Sequence, residues 1–357
     1  MKKSRILGKF IFWINCIAAF FLVVSFVLPY LPPRSFPTLS LLSLIVSPLI
    51  LLNIIFALYW LLRGKLKLLL STGVLIMAYF FFNSFIEFSS EGDANQFGST
   101  LKVMSYNVHL FNAYEQNSTV DVSETISEIL ESTKPDIVCI QEYYRNNKID
   151  FSAYPFQFIH FKRAKNKEGV LKENVLGHAI LSKYPIVNKG AFDFKSTFNN
   201  SLYVDIVKSQ DTIRVYNFHL ESMGVLAKVS YLQEADAKRL LGRMSTAFMK
   251  QQSQVEEILA HKENSPYPVL FAGDFNNTPF SYVYREMQKD MKDSYLERGN
   301  GLGTTHLFDS YPMRIDYILA SETLEILNFE TIRKTSSDHY PIIATIGWSP
   351  IPKTEKD

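Results

Sequence analysis

The sequence contains only two cysteines in 357 residues, Cys16 and Cys139, which excludes a framework of disulfide bonds. It also lacks a Walker loop or any other glycine-rich loop that would cradle phosphates. No cluster of cysteine and histidine has the spacing of a zinc site, and there is no internal repeat or low-complexity tract. These absences disfavour a small disulfide-bonded domain, a P-loop nucleotide hydrolase, a zinc-binding domain and a repeat protein.

Charged side chains are missing from three long segments, residues 10–31, 35–62 and 68–86. A helix of about 20 apolar residues crosses the apolar layer of a bilayer, and each segment is long enough to do so. A cleaved signal peptide would explain only the first segment, and no small-x-small cleavage site follows it. The sequence therefore predicts three transmembrane helices, at about residues 10–31, 38–62 and 67–87.

The basic residues beside these segments predict their orientation. Four precede the first segment and three lie between the second and third, whereas only Arg34 lies between the first and second. Because short cytoplasmic segments carry the excess of lysine and arginine, the N-terminus is predicted to be cytoplasmic. The protein would then be a multi-pass protein of the cytoplasmic (inner) membrane, with the rest of the chain extracytoplasmic.

The remainder of the chain is predicted to form one exported domain. After the membrane region (1–88) comes a short polar linker (89–100), then the domain (101–348) and a tail (349–357). Residues 1–87 hold eight basic residues and one acid, which leaves 29 basic and 34 acidic residues for the domain and its flanks. A net charge of −5 gives no general surplus of positive charge for binding nucleic acid, although a local basic groove stays open.

Short apolar runs typical of β-strands recur through the domain, with few long helices between them. A helical region is predicted at roughly 225–260. This pattern predicts an α/β fold in which two packed β-sheets are flanked by helices.

Polar residues stand at the ends of these apolar runs. An isolated asparagine or histidine at such a position is usually a turn residue or a satisfied polar group, and Gly-Asp-x-Asn also makes an ordinary turn. A strand carboxylate such as Asp316 needs a partner when it is buried, and His339 is the obvious candidate. Carboxylate and amide oxygens with histidines suit a hard divalent metal and phosphoester chemistry. The candidate residues are Asn107, Glu142, His219, Asp274, Asn276, Asp316, Asp338 and His339.

Five motifs, in this order, resemble those of the endonuclease/exonuclease/phosphatase superfamily. The resemblance runs from about residue 101 to 348 and implies a four-layer α/β sandwich with the site at one edge of the two sheets. The motifs are Ser105-Tyr106-Asn107, Gln141-Glu142, Gly273-Asp274-Phe275-Asn276, Arg314-Ile315-Asp316-Tyr317 and Ser337-Asp338-His339-Tyr340-Pro341.

The resemblance implies a metal centre that holds Mg²⁺, with Mn²⁺ as a substitute. Glu142 would be the principal ligand, Asn107 would lie near the ion, and Asp338 would complete its shell, directly or through water. Asp274 would orient or deprotonate the attacking water, and Asn276 would help to position it.

The resemblance also implies a set of residues that bind the substrate phosphate. His339 would contact the scissile phosphate and stabilise its developing charge, held in place by Asp316. His219 occupies the place of a phosphate-contacting residue, and Asn276 is expected to share in substrate binding.

The sequence therefore predicts a membrane-anchored, Mg²⁺-dependent phosphoesterase. Its substrate stays open among nucleic acid, phospholipid or sphingolipid, and a small phosphoester. A sphingomyelinase-like lipid phosphodiesterase is one alternative, and a tethered binding module without turnover is another. No obligate protein partner is evident from the sequence.

Overall fold

A computed structural model describes residues 2–82, 85–112, 122–145, 149–165 and 171–350. Residues 351–357, most of the predicted tail, lie outside the described residues. The chain before residue 87 is helical, and the chain after it forms two β-sheets with helices on their outer faces.

The N-terminal region contains helices α1 (Lys2–Ser25), α2 (Pro37–Ser40), α3 (Val46–Leu62) and α4 (Leu68–Phe82). Two stretches are long and apolar enough to cross a membrane, Ile6–Tyr30 and Pro37–Leu62. The third predicted span, 67–87, is not confirmed, because α4 has 15 residues. The chain has left the helix by Glu87–Phe88, which pairs as strand β1 with residues 300–301 of the domain.

A buried chain of hydrogen bonds joins α1, α3 and α4. The indole of Trp60 donates to Oδ1 of Asn15 at 2.9 Å, and the Asn15 amide donates to Ser71 at 2.6 Å. The Ser71 hydroxyl then donates to Oδ1 of Asn53 at 3.0 Å. Among apolar helices, such polar side chains fix which faces meet, so α4 packs as part of one three-helix bundle.

The remaining elements follow in chain order. The strands are β2 (Phe97–Asn107), β3 (Ile137–Tyr144), β4 (Phe156–Lys165), β5 (Leu171–Ser182), β6 (Ile186–Phe192), β7 (Ser201–Lys208), β8 (Asp211–His219), β9 (Val269–Asp274), β10 (Met291–Asp293), β11 (Asn300–Gly301), β12 (His306–Phe308), β13 (Tyr311–Met313), β14 (Asp316–Ser321), β15 (Glu325–Thr331) and β16 (Ile342–Pro350). The helices are α5 (Val122–Thr133), α6 (Val229–Glu234), α7 (Ala237–Glu263), α8 (Tyr282–Gln288) and α9 (Ser294–Arg298).

These strands form two six-stranded sheets. The first has the order β15-β16-β2-β3-β5-β4 and the second the order β10-β14-β9-β8-β7-β6. Only β2 with β3 and β8 with β9 are parallel among the pairs of these two sheets in the described residues. Two neighbouring parallel strands end at the same edge, so each sheet brings two strand ends together on one side of the domain.

The sheets pack face to face, and their other faces are covered by helices. Val103 and Ile137 of the first sheet share one core with Val215 and Leu270 of the second. On the outer faces, α5 covers the first sheet, and α7 and α8 cover the second. The predicted four-layer α/β sandwich is confirmed.

Two boundaries differ from the sequence-based expectation. Strand β2 begins at Phe97, so the last residues of the expected linker 89–100 belong to the sheet, where Thr100 pairs with Gly347. The helical region expected at 225–260 is two helices, α6 and α7, separated near Ala235 and Asp236. Polar residues dominate residues 89–100, so hydropathy alone could not show that an edge of the sheet begins there.

The N-terminal bundle docks directly on the domain. Phe280, which is 1% exposed, packs in the bundle core with its ring 4.9 Å from that of Phe82. The Thr278 hydroxyl donates to the Ser43 carbonyl at 3.1 Å. Arg34 binds the side chains of Ser253 and Glu256 on α7. Thr278 and Phe280 follow Asp274 within six residues, so the docking surface adjoins the end of β9.

Candidate active site

One side of the domain collects polar side chains from both sheets. In the second sheet, His219 is in register with Asp274 across the parallel pair β8–β9, and Asp274 is in register with Asp316 across the antiparallel pair β9–β14. Three neighbouring strands thus present one row of polar residues at the same height. From the first sheet, Asn107 donates to Oδ2 of Asp274 at 3.1 Å, which joins the two sheets at this edge.

Asp316 and His339 form a buried pair. Nδ1 of His339 lies 2.9 Å from Oδ2 of Asp316, and Nε2 lies 3.7 Å from Oδ2 of Asp274. Burial alone lowers the pKa of His339, but the carboxylates of Asp316 and Asp274 outweigh it and raise the pKa to about 10. The ring is therefore a cation near neutral pH, with Nδ1 fixed by Asp316 and Nε2 turned towards the other site residues.

Glu142 stands at an irregularity of β3. Its φ is 54°, and the register between β3 and β5 shifts between Ile140 and Tyr143. A bulge redirects a side chain, and here it brings Oε1 of Glu142 within 3.7 Å of Nε2 of His219 and 3.5 Å of the Asn107 amide nitrogen. Burial raises the pKa of Glu142, against the influence of nearby histidines. A positive centre beside it would favour its charged form.

His219 lies between the two sheets' carboxylates. Its Nε2 is 3.8 Å from Oδ2 of Asp274, and the ring is almost fully buried. Burial lowers the pKa of His219 below its ordinary value. The ring is therefore neutral near pH 7, unlike that of His339.

The end of β9 has a backbone that only glycine allows. A Cβ at Gly273 would lie 2.2 Å from the carbonyl oxygen of Phe218, because β8 passes directly against it. After it, the Asn276 backbone N–H donates to Oδ1 of Asp274 at 2.7 Å, and the Asn276 amide donates to the Leu220 carbonyl at 3.0 Å. Burial, followed by the charge of Asp316, raises the pKa of Asp274.

Asp338 lies at the mouth of the site. Its carboxylate is 3.9 Å from Nδ1 of His109 and accepts a hydrogen bond from Ser337 at 3.2 Å. Burial acts to raise the pKa of Asp338, but nearby histidines, His339 first, outweigh burial and lower the pKa overall. Asp338 is therefore ionised and, unlike the other carboxylates, exposed to solvent.

Several residues that the sequence did not single out hold these groups in place. The Thr305 hydroxyl accepts from the backbone N–H groups of Ile315 and Asp316, at 3.0 and 3.1 Å. Asn217 bridges the sheets, donating to the carbonyls of Ile140 and Ala179 at 2.9 Å each. Ser337 donates to the carbonyl of Asn107 at 2.7 Å. Asn217 lies two residues before His219, and this spacing along the strand is the one signal in the sequence that could have identified Asn217 as a residue of the site.

Among the residues that the structure describes, two groups of side chains have ligand atoms close enough to hold a metal ion. One is His306, Asp338 and His339, and the other is Asp274, Asp316 and His339, with all ligand atoms of a group within 4.8 Å. Both groups use His339, whose Nδ1 is already bonded to Asp316.

The oxygen donors beside these groups fit a hard divalent cation. Glu142 and Asp338 supply carboxylates and Asn107 an amide oxygen, the ligand types that Mg²⁺ prefers. Burial disfavours the charged form of Glu142, and a bound cation would compensate for that cost.

Comparisons with known proteins agree with this architecture. The model of the "Endonuclease/Exonuclease/phosphatase family" matches residues 104–339, and that of a domain of unknown function (DUF8431) matches residues 8–85. No curated protein matches the chain in sequence.

Two crystal structures of endonuclease/exonuclease/phosphatase proteins are similar in fold. That from Beutenbergia cavernae DSM 12333 is 17% identical with a TM-score of 0.52, covering 71% of this chain and 73% of that chain. That from Bacteroides vulgatus is 16% identical with a TM-score of 0.53, covering 70% of this chain and 100% of that chain. At these identities the likeness shows a shared fold.

Proposed function

Since the chain belongs to the endonuclease/exonuclease/phosphatase family of divalent-metal-dependent phosphoester hydrolases, we propose that it is a membrane-anchored, Mg²⁺-dependent phosphoesterase with an extracytoplasmic catalytic domain. The observation that carries the proposal is the row His219, Asp274 and Asp316, joined through Asp274 to Asn107 of the other sheet. Each buried charge in this row costs free energy, which packing alone would not justify.

In this proposal Glu142, Asn107 and Asp338 hold the metal. Mg²⁺, or Mn²⁺ in its place, would supply Lewis-acid polarisation of a phosphoryl oxygen when bound. The two groups of acids and histidines at His339 are then parts of the proton-transfer and phosphate-binding network.

The chain's own residues divide the remaining chemistry. Asp274, whose pKa is raised by burial, accepts a proton from the attacking water, because a base works best with a pKa near the working pH. Asn276 holds that carboxylate through its backbone N–H. His339, a cation held by Asp316, faces the phosphate oxygens, and neutral His219 donates to one of them.

The N-terminal bundle is proposed to be the membrane anchor. Two helices long enough to span a membrane, together with α4 locked to them through Ser71, support a three-helix anchor. The basic residues Arg63, Lys65 and Lys67 between α3 and α4 support a cytoplasmic position for that turn.

The alternative from another class is a tethered binding module that keeps the fold without turnover. A degenerate copy would have lost at least one of Glu142, Asp274 and His339, and all three are present. The distance of 3.7 Å between Nε2 of His339 and Oδ2 of Asp274 also favours an enzyme.

The test is a substrate panel with the purified full-length chain in detergent. Plasmid DNA, phospholipid, sphingolipid and inositol phosphates are each incubated with Mg²⁺ or with chelator. We expect hydrolysis of at least one of them that chelator abolishes and that His339→Ala reduces by at least about 100-fold. Binding without turnover in every case would favour the binding module.

A further inference from the structure

The segment after His219 exposes apolar side chains beside the site. Leu226, Val229 and Leu232 are 63%, 46% and 39% exposed, and Leu241 is 47% exposed at the start of α7. The tip of the β12–β13 hairpin touches this segment, because the Asp309 N–H donates to the Ala227 carbonyl at 2.7 Å. Leu307 on the same hairpin is 36% exposed. We call these five residues the apolar rim.

A continuous series of contacts links the apolar rim to the N-terminal bundle. On one side the hairpin reaches the bundle, where the Tyr311 hydroxyl lies beside Ser47 at the start of α3. On the other side its first residues reach the active site, where Thr305 binds the backbone of Asp316. The site, its apolar rim and the start of α3 that carries Ser47 therefore lie along one hairpin.

The same segment carries positive charge. Residues 228–243 contain four exposed basic side chains and two acids. The basic residues are Lys228, Lys238, Arg239 and Arg243. A cleft of about 400 Å³ opens here, lined by Tyr231, Arg239 and Arg243 among others, and Arg243 donates to the Tyr231 hydroxyl at 2.6 Å. Leucines beside arginines and lysines are typical of a segment that lies in the headgroup layer of a membrane.

Resting on the function proposed above, we propose that the apolar rim enters the headgroup layer of the membrane that holds the anchor, and that the substrate is a phosphoester in a lipid headgroup. Ser43, Ser47 and Tyr311 set the height of the active site at the end of the bundle. A lipid phosphate can then meet His339 and His219 while its acyl chains stay in the bilayer. We assign the bilayer as the partner that covers the apolar rim, because the rim adjoins the bundle and the apolar helices of the bundle enter the bilayer.

The test compares two substrates with one protein. The full-length chain is reconstituted into vesicles of phosphatidylcholine, phosphatidylglycerol and sphingomyelin with Mg²⁺. Phosphorus NMR follows the phosphomonoester that hydrolysis forms, either as a released phosphorylated headgroup or as a phosphorylated lipid left in the vesicle. Bis(para-nitrophenyl) phosphate serves as the soluble phosphodiester. The variant Leu226→Ser/Val229→Ser/Leu232→Ser changes only exposed residues. Its matched control is Val187→Ser, which is 61% exposed at the opposite end of the sheet.

We expect the triple variant to lose at least about tenfold in lipid turnover, with the soluble diester unchanged within about twofold. Val187→Ser should change neither. Hydrolysis of the soluble diester with no lipid cleaved would overturn the lipid assignment and leave the phosphoesterase standing. Equal losses on both substrates would make the rim structural and overturn its role. Hydrolysis of neither substrate by the unaltered chain would count against the phosphoesterase itself.

A second measurement does not depend on turnover. A polarity-sensitive fluorophore is attached at Leu232→Cys in a Cys16→Ser background, since Cys139 is buried. In vesicles its emission should lie at shorter wavelength than that of the same fluorophore attached at Val187→Cys. An emission at Leu232→Cys equal to that at Val187→Cys would show that the rim stays in water, which contradicts the proposal.

Discussion

Glu142 is the residue on which the proposed metal centre depends most. Glu142→Gln keeps the shape of the side chain but removes the charge that would bind a cation. We predict that Mg²⁺ affinity, measured by titration calorimetry on the folded full-length chain, falls by about 10–100-fold. Glu322→Gln, an exposed residue beyond the far end of β14, is the control. Unchanged affinity in Glu142→Gln would show that the ligand assignment is wrong.

The Asp316–His339 pair is predicted to act as one unit. Asp316→Asn should reduce turnover by about 10–100-fold, His339→Ala should reduce it further, and the double variant should be hardly worse than His339→Ala. Asp316→Asn should also lower the pKa of His339, because a carboxylate that raises it is gone. Steady-state rates measure the loss of turnover, and an NMR titration of the ring measures the pKa of His339. Circular dichroism is the control for folding. Fully multiplicative losses would make Asp316 an independent core acid.

Single residues were predictable where a strand ends in a polar side chain. Asp274, Asp316 and His219 could be chosen because apolar runs stop at or begin with them. Thr305 could not, since its contact with Asp316 closes a hairpin whose fold depends on other parts of the chain. The bulge at Glu142 was equally hidden, because the sequence Gln141-Glu142-Tyr143 alternates like any strand.

At the scale of elements, the close approach of β8 and β9 sets the height of the row His219, Asp274 and Asp316. Gly273→Ala would place a methyl group against the Phe218 backbone, so we predict a loss of about 2–4 kcal/mol in unfolding free energy. Thermal unfolding of the chain in detergent checks it. Gly242→Ala on α7, where a Cβ meets nothing within 4 Å, should instead stabilise by up to about 1 kcal/mol. Similar effects of the two substitutions would contradict the packing argument.

Strands and helices with one buried face were predictable from the periodicity of their apolar residues. Boundaries between elements were not predictable where the hydropathy of the sequence hardly changes. The strands around Val103 and Leu270 alternate or run apolar, which gave the two-sheet fold. Residues 97–100 and 85–88 change partner with little change in hydropathy, and there the expected linker and third span differed from the structure.

At the scale of the whole molecule, the bundle is predicted to span the membrane and the domain to lie on its extracytoplasmic side. A C-terminal alkaline phosphatase fusion should therefore be active, and a C-terminal fluorescent reporter that matures only in the cytoplasm should be dark. The physical reason is the cluster Arg63, Lys65 and Lys67, which stays inside. The opposite pattern of reporter activity would overturn the topology.

The docking of the bundle on the domain was not predictable from the sequence. Phe280 follows Pro279 in a loop, where a phenylalanine could pack on its own domain equally well. Only the folded arrangement shows that it packs against Phe82 in the core of the bundle.

Phe280 has a consequence for kinetics. A domain held on its membrane anchor by Phe280 cannot leave the membrane surface. It therefore meets a lipid substrate by lateral diffusion in two dimensions. Its rate should then follow the mole fraction of substrate among the lipids, and diluting the vesicles in buffer should leave it unchanged. Phe280→Ser would remove the ring contact that holds the domain on its anchor, so turnover of a lipid substrate should fall while turnover of a soluble diester stays unchanged.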